Sequence, residues 1–284
     1  MNNPSIFHHS ILKIKGDQQQ PLTDQLAVEE PLEIQLLFGP ANDRKRQSVA
    51  VTMRTPGQDF DLAVGFLFTE GIIQNNSQIK KVAYAHTIDP SFPENTVVVV
   101  LSPEVEVNLK QLERHFYTSS SCGVCGKASI EAVMVNNLPD LPLPVPFVDI
   151  KSLHTLPEKL RAVQAVFDQT GGLHAAALFT QAGELTVWRE DVGRHNALDK
   201  LIGHHLRAGA LPCAQSILLV SGRASFELVQ KALVAGIPFM AAVGAPSSLA
   251  VQMAERYGMT LIGFLRRGQY NLYCGAGRVW GIER

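Results

Sequence analysis

The apolar positions of this chain change period as it proceeds. Residues 32–38 (LEIQLLF) and 49–53 (VAVTM) have strand composition, and the polar stretch 39–46 between them, with Gly39-Pro40 and Asn42-Asp43, predicts the turn of a hairpin. Residues 59–69 read as a helix with Leu62, Phe66, Ala63 and Leu67 on one face, stopped by Gly71. Strand character resumes at 82–86 and 96–101, across a turn at 89–95. Residues 138–146 (LPDLPLPVP) carry four prolines, which exclude a central strand or helix and make a stiff connector.

The second half alternates strand and helix. Thr155-Leu156-Pro157-Glu158 resembles a capping box, and Leu160, Val163 and Phe167 continue a helical stripe to Gly171-Gly172. Residues 173–180 and 184–189 predict a hairpin. After it, Asp191 precedes a helix with Leu198, Leu201, Ile202 and His205 on one side. Then come a strand at 216–220, a helix at 225–235, a strand at 238–243, a helix at 247–257 and a strand at 260–265. This βαβαβ order implies a largely parallel sheet with helices on its faces, and such sheets gather ligands at the C-terminal ends of their strands.

Composition narrows the setting. The chain has 284 residues, 46% hydrophobic and 18% charged, enough for one large or two modest domains. A net charge of −1 argues against a general nucleic-acid surface, although Arg44-Lys45-Arg46 and Arg266-Arg267 are basic clusters. The first cluster reads as a solvated hairpin tip. The N-terminal stretch lacks the pattern of an export signal and no segment reaches membrane-spanning length, so a cytoplasmic protein is expected. Four cysteines are too few for a disulfide scaffold in a chain of this size.

Two of those cysteines carry the most pointed chemistry. Residues 118–127 (TSSSCGVCGK) place Cys122 and Cys125 in a CxxC pair fenced by Gly123 and Gly126 and led by three serines. Small neighbours leave both sulfurs uncovered, and a helix-compatible run from Lys127 sets a thiol near a helix N-terminus, where a thiolate is favoured. A reactive sulfur follows. Cys213 and Cys274 stand apart and read as packing or incidental thiols. Among the strand ends, Ser221-Gly222-Arg223-Ala224-Ser225 lies between strand and helix, where amides and the Arg223 fork can hold an anion. Gly244-Ala245-Pro246-Ser247 and residues 264–269 (FLRRGQ) occupy the corresponding places after the next two strands, so the three loops would form one pocket rim. Residues 190–196 (EDVGRHN) read as an Asp N-cap with solvent-facing neighbours, and His174 as a structural histidine that could line the cleft.

The strings SSSCGVCGK, GGLHAAALF, EDVGRHNALDKLIG, SGRASFELVQKAL and AVGAPSSLAV, in that order, with LAVGFLFTEGII before them, resemble the FdhD/NarQ family of formate dehydrogenase accessory proteins. The resemblance implies a sulfur carrier that takes sulfane sulfur from a cysteine desulfurase and passes it to the molybdenum cofactor before insertion into formate dehydrogenase. It implies an α/β fold: a small α+β domain over residues 1–116, then a three-layer, cytidine-deaminase-like domain with a mixed, largely parallel sheet over 117–284. It places the persulfide on Cys122, the second motif cysteine on Cys125, and the segment that binds bis-molybdopterin guanine dinucleotide on Phe264, Leu265, Arg266, Arg267, Gly268 and Gln269. Arg223, Ser225 and Phe226, on the neighbouring strand end, are expected beside that cofactor. No metal of the protein's own is expected. A homodimer is, since the apolar helices leave surface for self-association.

Other readings make different demands. A zinc deaminase needs HxE ahead of PCxxC, and here no HxE exists and the CxxC precedes His174. A structural zinc would need two more ligands, and a thioredoxin-type exchanger would set its CxxC directly after a strand. A non-catalytic cofactor-binding chaperone, with the thiols only lining the pocket, remains the main alternative.

Overall fold

The computed structural model describes residues 4–85, 94–107, 138, 140–141 and 147–281. The chain starts with a hairpin that the apolar pattern does not announce, β1 (Ile6–Lys15) and β2 (Gln18–Ala27). Both strands expose most of their residues, so they carry no alternation of buried and polar positions.

Next comes a four-stranded sheet of β3 (Glu30–Phe38), β4 (Lys45–Arg54), β5 (Ile79–Tyr84) and β6 (Thr96–Leu101), in the order β4-β3-β6-β5. The predicted hairpin is β3–β4. Its tip is not simply solvated: Arg44 donates to the carbonyls of Gly39 (2.6 Å), Leu37 (2.9 Å) and Leu101 (2.6 Å), which leaves Lys45 and Arg46 as the exposed cations. Leu32, Ile34 and Leu36 of β3 alternate inward with Val97, Val99 and Leu101 of β6, onto helix α1 (Asp59–Thr69). The one-faced helix expected here is buried nearly all round. Its second side packs on another helix, and Phe66 rather than Val64 is left half-exposed.

The second half holds a six-stranded mixed sheet. In chain order its strands are β8 (His174–Phe179), β9 (Leu185–Asp191), β10 (Ile217–Val220), β11 (Phe239–Ala242), β12 (Thr260–Arg266) and β13 (Gln269–Cys274), arranged β13-β12-β11-β10-β8-β9. The three central strands β10, β11 and β12 are parallel, and the outer pairings are antiparallel. A two-stranded pairing of β7 (Val148–Asp149) and β14 (Val279–Trp280) stands apart.

Side chains of the central strands alternate between two cores. On one face Ala176, Leu178, Leu218, Val220, Met240 and Leu261 meet α4 (Arg194–Arg207), α5 (Phe226–Val234) and α6 (Ser248–Arg256). On the other, Ala177, Phe179, Leu219, Phe239 and Ile262 meet Leu153, Leu156 and Leu160 of α2 (Ile150–Arg161). Helix α2 starts earlier than its sequence suggests. Asp149 is the N-cap, accepting from Lys151 N–H at 2.7 Å, and Pro157 lies inside the helix. Thr155 is no cap, because its hydroxyl donates back to Ser152 O. The helix breaks at 162–164, and the short α3 (Ala165–Thr170) ends at Gly171 with φ 67°.

Helices α1 and α4 bring the two sheets into one body. They cross so closely that a Cβ on Gly65 would lie 1.9 Å from Asp199 O, and one on Gly203 1.9 Å from Asp61 O. Glycine is required at both points. Two buried ion pairs flank the crossing. Lys200 Nζ meets Asp191 Oδ2 at 2.7 Å and donates to Thr55 O at 2.8 Å. Lys231 Nζ meets Asp199 Oδ2 at 2.9 Å and donates to Thr69 Oγ1 at 2.7 Å, while Thr69 in turn donates to Asp199 Oδ1.

Candidate functional site at the C-terminal edge of the sheet

The three loops that follow β10, β11 and β12 do lie on one edge, and they are bonded to one another. Gly244 N–H donates to Gly222 O (2.9 Å), Ala224 N–H to Ala245 O (3.1 Å), Ser247 N–H to Ala224 O (3.0 Å) and Phe264 N–H to Gly244 O (3.0 Å). This lacing consumes amides that an anion would otherwise use. Ser221 N–H also goes to Ala175 O, so the first βα turn is a weaker amide cradle than its sequence suggests.

Each expected rim residue has a definite place. Ser225 caps α5, and its Oγ lies 3.3 Å from His195 Nε2. Arg223 is exposed. Phe226, however, is only 6% exposed and belongs to the α4–α6 core. Leu265 is wholly buried in the opposite core. Both are therefore withdrawn from the rim, because the apolar side chain of the first residue of an amphipathic helix, and of one strand face, turns inward. A register shift between Gly263 and Arg266 in β12 spans Phe264 and Leu265. Phe264 takes a left-handed backbone, φ 53°, and its ring is turned outward, 37% exposed. Arg266, Arg267, Gly268 and Gln269 make the β12–β13 turn, with Gly268 at φ 78°. That turn leans on α2: Arg267 pairs with Glu158 at 3.7 Å, and His154 Nδ1 lies 3.3 Å from Arg266 O.

A cavity of about 810 Å³ opens beside this edge, between α2, α3 and the start of β8. Leu160, Leu173, Val243 and Phe167 give it apolar walls, and Glu158, Arg161, Gln164, His174 and Ser221 are its polar and charged groups. His174 sits at the first position of an otherwise apolar strand. Its ring lies so close to Gly222 that a Cβ there would be 3.3 Å from Nδ1. Burial first, then the neighbouring charges of Arg194 and His195, hold its imidazole below the usual histidine range against the opposing pull of Asp191. The ring is thus neutral at neutral pH and able to accept or donate a hydrogen bond.

The polar motif 190–196 is mostly a structural device. Asp191 is fully buried, not a solvent-facing cap: besides Lys200 it accepts from Gly193 N–H (2.8 Å), Asn196 Nδ2 (3.0 Å) and Thr55 N–H (3.2 Å). Gly193 is the N-cap of α4. His195 lies 3.8 Å from Glu227. Burial alone would raise that carboxyl, but hydrogen bonds from His195, from its own backbone and from Ser225 hold it at about 2.

Cys122 and Cys125 lie outside the described residues. Burial disfavours the thiolate form of both described thiols. Burial pushes Cys213 up to about 12, and burial likewise raises Cys274, whose Sγ lies 3.1 Å from Met259 O. Among the described residues no three His, Cys, Asp or Glu side chains are grouped as a metal site, and no helix is long and apolar enough to cross a membrane.

A sequence model of the FdhD/NarQ family matches residues 27–280. The chain belongs to the FdhD/NarQ family. The match begins at the last residue of β2, so the exposed N-terminal hairpin lies almost wholly outside it. Sulfur carrier protein FdhD of Streptomyces coelicolor is 51% identical over 272 residues, covering 95% of this chain and 94% of that protein. The protein of the same name from Mycobacterium tuberculosis is 46% identical, covering 96% and 98%, and that from Sulfurisphaera tokodaii is 40% identical, covering 95% and 97%. A solved structure from Desulfotalea psychrophila, assigned as a formate dehydrogenase accessory protein, superposes with a TM-score of 0.76 over 97% of this chain and 100% of that one. At 24% identity it shows that the two share a fold.

Proposed function

We propose that this chain is a cytoplasmic sulfur carrier for formate dehydrogenase. Its identity along nearly the whole length to proteins named as sulfur carriers is the observation that carries the reading. Cys122 takes the sulfur. Its thiolate attacks the terminal sulfur of a desulfurase persulfide, a new S–S bond forms, and the desulfurase thiolate leaves with the electron pair of the broken bond. The transfer needs no external oxidant.

Delivery uses Cys125. Its thiolate attacks the inner sulfur of the Cys122 persulfide, which makes a Cys122–Cys125 disulfide and expels the outer sulfur as sulfide, the form a molybdenum centre takes as a ligand. A dithiol reductant then supplies two electrons to reopen the disulfide. The acceptor in this reading is bis-molybdopterin guanine dinucleotide, bound as substrate along the loop edge by Phe264, Arg266, Arg267, Gly268, Gln269, Arg223 and Ser225 before it enters formate dehydrogenase. The division into residues 1–116 and 117–284 and a homodimeric state belong to the same proposal.

The test is mass spectrometry of the chain after incubation with a cysteine desulfurase and cysteine. A carrier gains one thiol-labile sulfur, lost in Cys122→Ala. A cofactor-binding chaperone gains none.

A further inference from the structure

The N-terminal hairpin leaves one edge open. Its strands β1 and β2 pair only with each other among the described residues, and each runs for ten residues, about 33 Å of strand. Val28 N–H donates to Ser5 O, and from that pair the antiparallel alternation sets which groups meet the partner strand. Phe7, His9, Ile11 and Lys13 bond inward to β2. His8, Ser10, Leu12 and Ile14 therefore turn their N–H and C=O groups outward, and none of the four has a backbone partner among the described residues.

The two edges are not equal. On β2 the outward positions are Gln19, Pro21, Thr23 and Gln25; Pro21 has no N–H to offer, and Asp24 Oδ1 accepts that of Gln25 at 3.0 Å. Helix α3 also packs against β2. The β1 edge carries no proline and no such internal cap. Its apolar side chains Phe7, Leu12 and Ile14 are 56%, 53% and 57% exposed, and between them stand His8, His9, Lys13 and Lys15 with no carboxylate. The hairpin's two acids lie elsewhere, Asp17 in the turn and Asp24 across from His9. Lysines on an open edge discourage pairing with a like strand, and a second copy of β1 would bring Lys13 and Lys15 no counter-charge. An acidic strand would.

We propose that β1 is a docking edge for an extended segment of another protein, in which apolar and acidic residues alternate, and that this segment adds to the hairpin as a third strand. The outward groups of His8, Ser10, Leu12 and Ile14 supply main-chain bonds, which attach an extended segment of almost any sequence. Side chains then choose among segments. Phe7, Leu12 and Ile14 favour apolar neighbours, and Lys13 and Lys15 favour carboxylates beside them on the added strand. A third strand also supports a two-stranded hairpin that would be marginal alone. The inference does not rest on the carrier reading, and these residues precede the stretch 27–280 that the family model matches.

The experiment uses a dye-labelled synthetic peptide of the length of β1, valine alternating with glutamate, and its counterpart with lysine in place of glutamate. Fluorescence anisotropy follows both against the full chain, Ser10→Pro, and the double variant Lys13→Glu, Lys15→Glu, while NMR follows amide hydrogen exchange in the unaltered chain. Ser10→Pro removes one outward N–H and no bond to β2, as Pro21 does on the other strand. The glutamate peptide should bind the unaltered chain saturably, more weakly as salt rises, and at least about tenfold more weakly to either variant. It should slow exchange of the His8, Ser10, Leu12 and Ile14 amides at least about tenfold. Absence of saturable binding, equal binding of the two peptides, or unchanged exchange at those four amides overturns the proposal. Exchange that slows there with protein concentration alone, together with a dimer in sedimentation that Ser10→Pro abolishes, puts a second copy on the edge and overturns the acidic partner. Should Ser10→Pro fail to fold, the double variant and the exchange measurement decide.

Discussion

Replacing Lys200 by methionine should destabilise the whole protein far more than an ordinary lysine substitution. Lys200 is 1% exposed, and its ammonium is the one cation paired with Asp191, itself 0% exposed, among the described residues. Methionine fills most of the volume but leaves the carboxylate with only the donors of Gly193, Asn196 and Thr55, and it strands Thr55 O, 2.8 Å from the lost ammonium. Breaking a buried pair on one side costs about 3–5 kcal/mol. In a domain of this size about 1 kcal/mol moves the melting temperature by about 2–4 °C, so a fall of roughly 6–20 °C is expected by calorimetry or circular dichroism. The double variant Asp191→Asn, Lys200→Met should recover much of the loss, because no uncompensated charge remains. The lock joins β9 and α4 to the segment after β4, so proteolysis of the single variant should first release the N-terminal sheet. A loss below about 1 kcal/mol in the single variant would refute the reasoning.

Gly65→Ala or Gly203→Ala should each cost about 2 kcal/mol or more in urea unfolding, because the added Cβ meets backbone 1.9 Å away and the helices must part; an effect within 0.5 kcal/mol contradicts that contact. Glu227 is held at about 2 in the fold against 4.5 otherwise, so its stabilising share is present above pH 4.5 and lost as pH falls toward 2; Glu227→Gln should flatten the stability profile in that window. His174 is lowered from 6.5, so the neutral ring's share is complete above pH 6.5 and lost as acid protonates it; His174→Asn should remove that acid limb from thermal melts. GDP should bind Arg266→Ala, Arg267→Ala and Arg223→Ala proteins more weakly than the unaltered chain in calorimetry; equal binding by both sets places the cofactor elsewhere.

The apolar runs announced the central architecture well. The strands at 216–220, 238–243 and 260–265 are continuous apolar stretches bounded by turn residues, and all three are buried parallel strands. The early helix showed at its observed bounds because Asp59 and Gly71 punctuate it. What stayed hidden depends on contacts distant in sequence. The first hairpin buries too little to leave a pattern, and α2 begins at Asp149 because a true cap there outcompetes the capping-box string six residues later. Asp191 read as a surface cap, since nothing local shows that Lys200 and Thr55 close over it. At the site, the convergence of three loops followed from strand order, whereas the inward turn of Phe226 and Leu265 followed from helix and strand phase that their polar neighbours obscured. Gln164 carries no motif, whereas Arg194 falls inside the string 190–196, which read as an Asp N-cap with solvent-facing neighbours. His174 did leave a signal, as the one polar residue heading the string HAAALF.

The central claim is that Cys122 carries sulfane sulfur, and one measurement reaches it directly. The chain is incubated with a cysteine desulfurase and labelled cysteine, then mapped by peptide mass spectrometry before and after treatment with a reducing thiol. The account predicts one added sulfur on the peptide that contains Cys122, removed by the thiol and absent from Cys122→Ala, which also fails to activate formate dehydrogenase. An unlabelled Cys122 peptide, or full activation by Cys122→Ala, would contradict it.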